Sequence, residues 1–331
     1  MGAPLQNAIE IRGLTKAFGP KVAVRNLDLD IPQGSLYGFI GPNGAGKTTT
    51  IRMIMSIIFP DKGTLSVLGK SSAVESKDRI GYLPEERGVY RKMKVGSFLN
   101  FIAKLKGVDS AAADKKVRAW LDRLQLADCY RKKCEELSKG MQQKVQFISA
   151  VLHEPELIIL DEPFSGLDPV NRRLLRELID EQNQAGRTLI FSTHAMFEAE
   201  QLCDRLFMIN KGDKVLDLPL AEVWNRYDPR AVIIEPIDAS TLQQQEIWSG
   251  FEGVREALFN DGHVELKLSD GVDPSRIMSE VASRVPFRRM EVKRPSLEDV
   301  FIELVGGSAA ALLAESEEFR APTPASAATS D

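Results

Sequence analysis

The chain has 331 residues, room for two domains, and 43% of them are apolar, ordinary for a globular protein. A formal net charge of −4 argues against a molecule that attracts nucleic acid through its overall field. No apolar run approaches the ~18 residues of a bilayer span, and MGAPLQN has no apolar signal-peptide core, so a soluble protein is expected, with any membrane part supplied by another chain.

Taken in order, residues 9–33 read as short alternating strands, IEIRGLT and VRNLDLDI. SLYGFIGPNGAGKTTTIRMIMSII follows: a buried strand, a glycine loop and a helix. Residues 86–150 carry helical apolar spacing, as in SFLNFIAKL and VRAWLDRLQL. Within them, residues 87–133 hold 13 Lys and Arg against four Asp, an excess most often found on a solvated helical face. LSKGMQQKV opens another helix, with Ser138 as the expected N-cap and an apolar stripe at Met141, Val145, Ile148, Val151 and Leu152. Its first turn is poor in acid and contains Gly140, so this helix start is a candidate anion site.

ELIILDEP is a short apolar strand ending in two acids. DPVNRRLLRELIDEQNQ reads as a helix with Asp168 as N-cap and Pro169 in the first position, where proline is tolerated. TLIFST is a buried strand before the helix AMFEAEQLC, and RLFMINKGDKVLD reads as a hairpin. Buried strands separated by helices argue a mainly parallel α/β core. A second unit is expected from near Pro229: strand AVIIEP, helix TLQQQEIW, strands VREALFN and HVELKLS around an Asp261-Gly262 turn, helix DPSRIMSEVASRV, strand RRMEVKR, and helix SLEDVFIELV capped by Ser296. That β-α-β-β-α-β order predicts a ferredoxin-like sandwich. After Gly307 the chain is mostly Ala, Ser, Pro, Thr and Glu, and disorder is expected. Cys129, Cys134 and Cys203 form no CxxC pair and no metal spacing, as expected of reduced cytosolic thiols.

GPNGAGKT fits the phosphate-loop pattern and lies between a strand and a helix, the context that such a loop requires. The expected nucleotide-binding stretch is Gly41, Pro42, Asn43, Gly44, Ala45, Gly46, Lys47, Thr48 and Thr49. Lys47 would reach the β and γ oxygens, and Thr48 would ligate Mg²⁺. Asp161 is placed to hold Mg²⁺ and Glu162 to polarise the attacking water. Two acids at a strand end would otherwise read as a helix cap or exposed charge; the phosphate loop decides between these. His194 follows a buried strand, where side chains emerge at the carboxyl edge of the sheet, and a γ-phosphate contact is expected of it.

GPNGAGKTT, GYLPEE, LSKGMQQK, LIILDEP with SGLD, and STH occur in the order found in the nucleotide-binding subunits of ABC transporters, which the chain resembles over roughly residues 9–225. The resemblance implies an α/β P-loop NTPase cassette with a RecA-like, mainly parallel core, an antiparallel β subdomain and a helical subdomain. The expected organisation is a tail at 1–8, the cassette at 9–227 with its helical subdomain at 86–150, an α+β accessory domain at 228–305 and a disordered tail at 306–331. ATP and Mg²⁺ are the implied ligands. In that family two cassettes sandwich two ATPs head to tail, which implies that Ser138 and the N–H groups near Gly140 bind the ATP held by a partner chain. LSKGMQQK departs from the family signature at Lys139 and Met141.

Phe18, 23 residues before Gly41, matches the aromatic that stacks on adenine; a core aromatic is the rival reading. Glu85 stands where the family has a metal-ligating glutamine, and a carboxylate can ligate but not donate. Asp168 matches an aspartate that crosses the dimer interface. RRMEVKRPSLEDVFIELVG resembles the end of ATPases serving ABC-2-type exporters, the group of sodium-extrusion and antibiotic-resistance pumps. The implied protein is an ATP-hydrolysing energy-coupling subunit. It would be a homodimer, peripheral on the cytoplasmic face of the cell membrane, with a separate ABC-2-type permease and no nucleic acid. The alternative is a soluble ABC ATPase acting on the ribosome or DNA. Against it, the chain has one cassette rather than two and no long coiled-coil insertion at 48–160.

Overall fold

The computed structural model describes residues 6–86, 88–260 and 262–305, without the side chains of Gln245 and Ser249. Most of the expected N-terminal tail, Arg87, Asp261 of the expected turn, and the expected tail at 306–331 lie outside the described residues. The chain divides into two compact units, one reaching Leu220 and the other Ala221–Glu303.

In the first unit β1 (Asn7–Phe18) and β2 (Lys21–Pro32) form a long antiparallel hairpin. Next come β3 (Leu36–Ile40), α1 (Lys47–Ile54) and β4 (Lys62–Val67). β4 pairs with β1 to complete a three-stranded antiparallel sheet. Ile9, Ile11, Leu27, Leu29 and Ile31 from this sheet are buried in one cluster with Phe39, Ile51, Ile159 and Phe207 of the neighbouring layer. Burying apolar surface is worth about 25 cal/mol per Å², and Ala45 of the glycine loop belongs to the same cluster.

β5 (Ile80–Leu83), α2 (Val95–Leu105), α3 (Ser110–Arg123) and α4 (Lys139–Val151) follow. After them come β6 (Leu157–Asp161), α5 (Pro169–Gln184), β7 (Thr188–Thr193), α6 (Met196–Leu202), β8 (Arg205–Asn210) and β9 (Asp213–Pro219). The six-stranded sheet has the order β5-β6-β7-β3-β8-β9. All neighbours are parallel except β8 and β9. β3, β6 and β7 are buried along their whole length, the reason they read as continuous apolar runs. β7 lies between β6 and β3, with Asp161 opposite Ser192 and Ile40 opposite Thr193. The carboxyl ends of these three strands are therefore side by side, and they carry the two acids, the histidine and the glycine loop.

In the second unit, α7 (Leu220–Arg226) leads to β10 (Ala231–Pro236), α8 (Gln245–Ser249), β11 (Val254–Asn260), β12 (His263–Leu268), α9 (Pro274–Arg284), β13 (Phe287–Val292) and α10 (Leu297–Val305). The sheet is antiparallel with the order β11-β12-β10-β13, the ferredoxin-like arrangement. Val232 and Ile234 of β10 and Val264, Leu266 and Leu268 of β12 alternate inward against Trp248, Ile277 and Val281. The helix expected over TLQQQEIW is in fact broken. A 3₁₀ turn covers Ala239–Gln243, the Asp238 side chain caps it by accepting from Ser240 N, and Gln244 leaves helical geometry at ψ 73° before α8 begins. Among the described residues no helix is long and apolar enough to cross a membrane.

Candidate active site

The chain leaves β3 at Ile40 and turns through Gly41–Gly46 into α1. A side chain fits at neither end of this turn: a Cβ would meet Ile209 O at 2.1 Å from Gly41 and Ala23 O at 2.5 Å from Gly46, where φ is +120°. The first turn of α1 contains no acid. Its free N–H groups and the helix dipole together favour an anion. Lys47 is buried; its Nζ donates to Gly41 O at 2.6 Å and lies 3.3 Å from Pro42 O and 3.7 Å from Glu162 Oε1. Burial pushes the ammonium pKa down, and the charges of Glu162 and Asp161 oppose that shift.

Asp161 ends β6. Its Oδ1 accepts from Ser192 Oγ at 2.5 Å and from Thr48 Oγ1 at 3.3 Å. Its Oδ2 is buried with no hydrogen-bond partner among the described residues. Burial raises the pKa of this carboxyl; the Ser192 bond pulls the other way. Glu162 follows with φ +48°, a left-handed geometry uncommon outside glycine. Such a position costs about 1–3 kcal/mol. It is held by the bond from Glu162 N to Ser192 Oγ, 3.0 Å. His194, the first residue after β7, places Nδ1 at 3.1 and 3.0 Å from the two Glu162 oxygens. An ionised carboxylate only accepts, so Nδ1 carries the proton in this contact.

Lys47, Thr48 and Glu162 border a cleft of about 320 Å³ lined also by Phe18, Lys21, Ala23, Asn43, Gly44, Ala45, Gly46, Thr49 and Glu85. Asp161 and His194 are not among its lining and reach it through their contacts to Thr48 and Glu162. Gly41 and Pro42 take part through the carbonyls that hold Lys47. Phe18 is 53% exposed, so its ring is open to the cleft and not part of the core. Lys21 and Ala23, just beyond the β1–β2 turn, were not legible as site residues, because only the hairpin brings β2 over the loop. Ser138 and Gly140 do not line this cleft. Ser138 caps α4 by accepting from Met141 N at 3.3 Å, and it is exposed. Asp168 caps α5, accepting from Asn171 N at 2.9 Å, a bond that lowers its carboxyl pKa.

Among the described residues no group of three or more His, Cys, Asp or Glu could hold a metal. Thr48 Oγ1 lies 3.3 Å from Asp161 Oδ1, and Glu85 lines the same cleft as Thr48; Mg²⁺ takes one or two carboxylates and completes its shell with water and substrate phosphates, so these oxygens would fit it. The unpartnered Asp161 Oδ2 fits that use.

Comparison with known proteins places these features in context. The family model described as "ABC transporter" matches residues 24–165. One described as "ATP-binding protein DrrA1-3-like, C-terminal domain" matches 219–305. The chain is 42% identical over 298 residues to the uncharacterized ABC transporter ATP-binding protein YhaQ of Bacillus subtilis, covering 90% of this chain and 98% of that one. It is 33% identical to the Nod factor export ATP-binding protein I of Burkholderia lata, covering 90% and 97%. A solved ATP-binding subunit of an ABC transporter superposes with a TM-score of 0.62 at 28% identity, over 66% of this chain and 93% of that one.

Proposed function

The chain belongs to the ATP-binding proteins of ABC transporters, an ATP-hydrolysing family, and from that premise we propose that it is the energy-coupling subunit of an exporter with a separate permease of the ABC-2 type. The observation that carries this reading is the convergence of Lys47, Asp161, Glu162 and His194 at three adjacent strand ends beside the Phe18 cleft. The adenine stacks on Phe18, and the glycine-loop N–H groups with Lys47 cradle the phosphates. Glu162 accepts a proton from the attacking water, while His194 holds the Glu162 carboxylate in place and faces the γ-phosphate. Thr48, Asp161 and Glu85 would hold Mg²⁺, which when bound would neutralise phosphate charge.

The exporter assignment draws on the match of residues 219–305 and on a relative named for export. The pairing of two chains draws on α4. Its acid-free start at Ser138 and Gly140 lies outside the chain's own cleft, which suits it to the γ-phosphate bound by a partner. The permease draws on the lack, among the described residues, of any helix able to span a bilayer. Its docking is assigned to the basic stretch after Glu85, where Arg91, Lys92 and Lys94 are exposed. On this reading the subunit sits peripherally on the cytoplasmic face of the cell membrane.

Glu162→Gln tests the chemistry. The variant should bind a fluorescent ATP analogue as the parent does, while steady-state turnover falls by ~10²–10⁴-fold, the usual worth of a positioned base. Turnover within a few-fold of the parent would reject the role given to Glu162.

A further inference from the structure

Among the described residues Glu198 is the most deeply buried carboxylate that the reaction above does not use, at 2% exposure. It lies in the first turn of α6, four residues after His194. Two arginines of α5 face it: Arg172 Nε is 3.3 Å from Oε1, and Arg176 Nε is 3.7 Å from Oε2. Arg172 has a second partner, donating from Nη2 to Leu167 O at 3.2 Å. Leu167 belongs to the loop between Glu162 and the Asp168 cap. Glu198 thus ties together, through one guanidinium, the two backbone segments that flank Glu162: the turn that presents His194 and the loop that leads to Asp168. A buried carboxylate persists only where it is paired; among the described residues its ion-pair partners both come from α5, in a geometry where Oε2 and the two Nε atoms make no hydrogen bond.

We propose that Glu198 and Arg172 are positioning residues for ATP hydrolysis, holding the His194 turn and the Leu167–Asp168 loop in register around Glu162. Neither touches the cleft, so both act on the chemical step through other residues. Removing such support typically costs ~10–100-fold in activity. The proposal rests on the hydrolytic roles assigned to Glu162 and His194.

The test compares kcat and KM for ATP in Glu198→Gln, Arg172→Gln and the double variant, with Arg173→Gln as control. Arg173 is on the same helix, and among the described residues it pairs along that helix, with Glu177 at 3.0 Å. Each single variant should lower kcat ~10–100-fold with KM for ATP nearly unchanged. The double variant should lose little more than either single, because both break one connection, and Glu198→Asp should recover part of the loss. Arg172→Gln removes a half-exposed side chain, so it reads the link even if the Glu198 variants fold poorly. Parent-like kcat in Arg172→Gln, or multiplicative losses in the double variant, would overturn the proposal. Glu162→Gln, measured alongside, separates the two readings: if it turns over normally, the Glu162 assignment has failed, whatever the Glu198 variants do.

Discussion

Asp161 is the residue whose environment most plainly serves something other than stability. Its carboxyl is buried, one oxygen has no hydrogen-bond partner among the described residues, and burial raises its pKa. The sign follows from linkage. A carboxyl whose folded pKa exceeds its unfolded value penalises the fold above that pKa, and the penalty is relieved as pH falls through it. Above the folded pKa the penalty is fully present. Asp161→Asn should therefore melt no lower than the parent in Mg²⁺-free buffer, by calorimetry, and should lose the Mg²⁺ dependence of ATP binding. A large drop in melting temperature would show that the charge stabilises the site. At this scale motifs marked positions, such as Lys47, Asp161, Glu162 and His194, which the fold brings to adjacent strand ends. The sequence assigned no role to Ser192, whose hydroxyl both donates to Asp161 and accepts from Glu162 N: the STH motif marks His194, but which atoms a buried strand hydroxyl reaches is set by the neighbouring strand.

Secondary-structure elements were legible wherever period and cap agreed. Asp168 and Ser138 cap α5 and α4 as their positions predict, and Asp299 N donates to Ser296 Oγ at the start of α10. The helix expected over TLQQQEIW failed because Asp238 offers its side chain to Ser240 N and starts a tighter turn, a local competition that apolar spacing does not register. The long β1–β2 hairpin was read as shorter strands, since its several register shifts interrupt the alternation. The start of α4 carries the prediction at this scale. Ser138→Ala should cost about 1 kcal/mol of stability, the usual worth of an N-cap hydroxyl, seen by denaturant unfolding. It should weaken ATP-driven pairing of chains while leaving each chain's own ATP binding intact. Loss of ATP binding by the monomer would place Ser138 in the chain's own site.

The two compact units have separate cores, one built around β3, β6 and β7 and the other around Trp248. None of the residues lining the ATP cleft comes from the second unit. A chain ending at Asp228 should therefore fold and bind a fluorescent ATP analogue; a folded truncation without binding would give the second unit a part in the site. The arrangement proposed beyond one chain rests on resemblance, because nothing in composition or periodicity reports which partner a helix start would face. The most direct measurement is the mass in solution of Glu162→Gln with and without ATP and Mg²⁺, by size-exclusion chromatography with light scattering. Two nucleotides held between two cassettes predict a monomer without ATP and twice that mass with it, reverting when Ser138→Ala is added. A monomer at saturating ATP, or a dimer indifferent to ATP, would contradict the account.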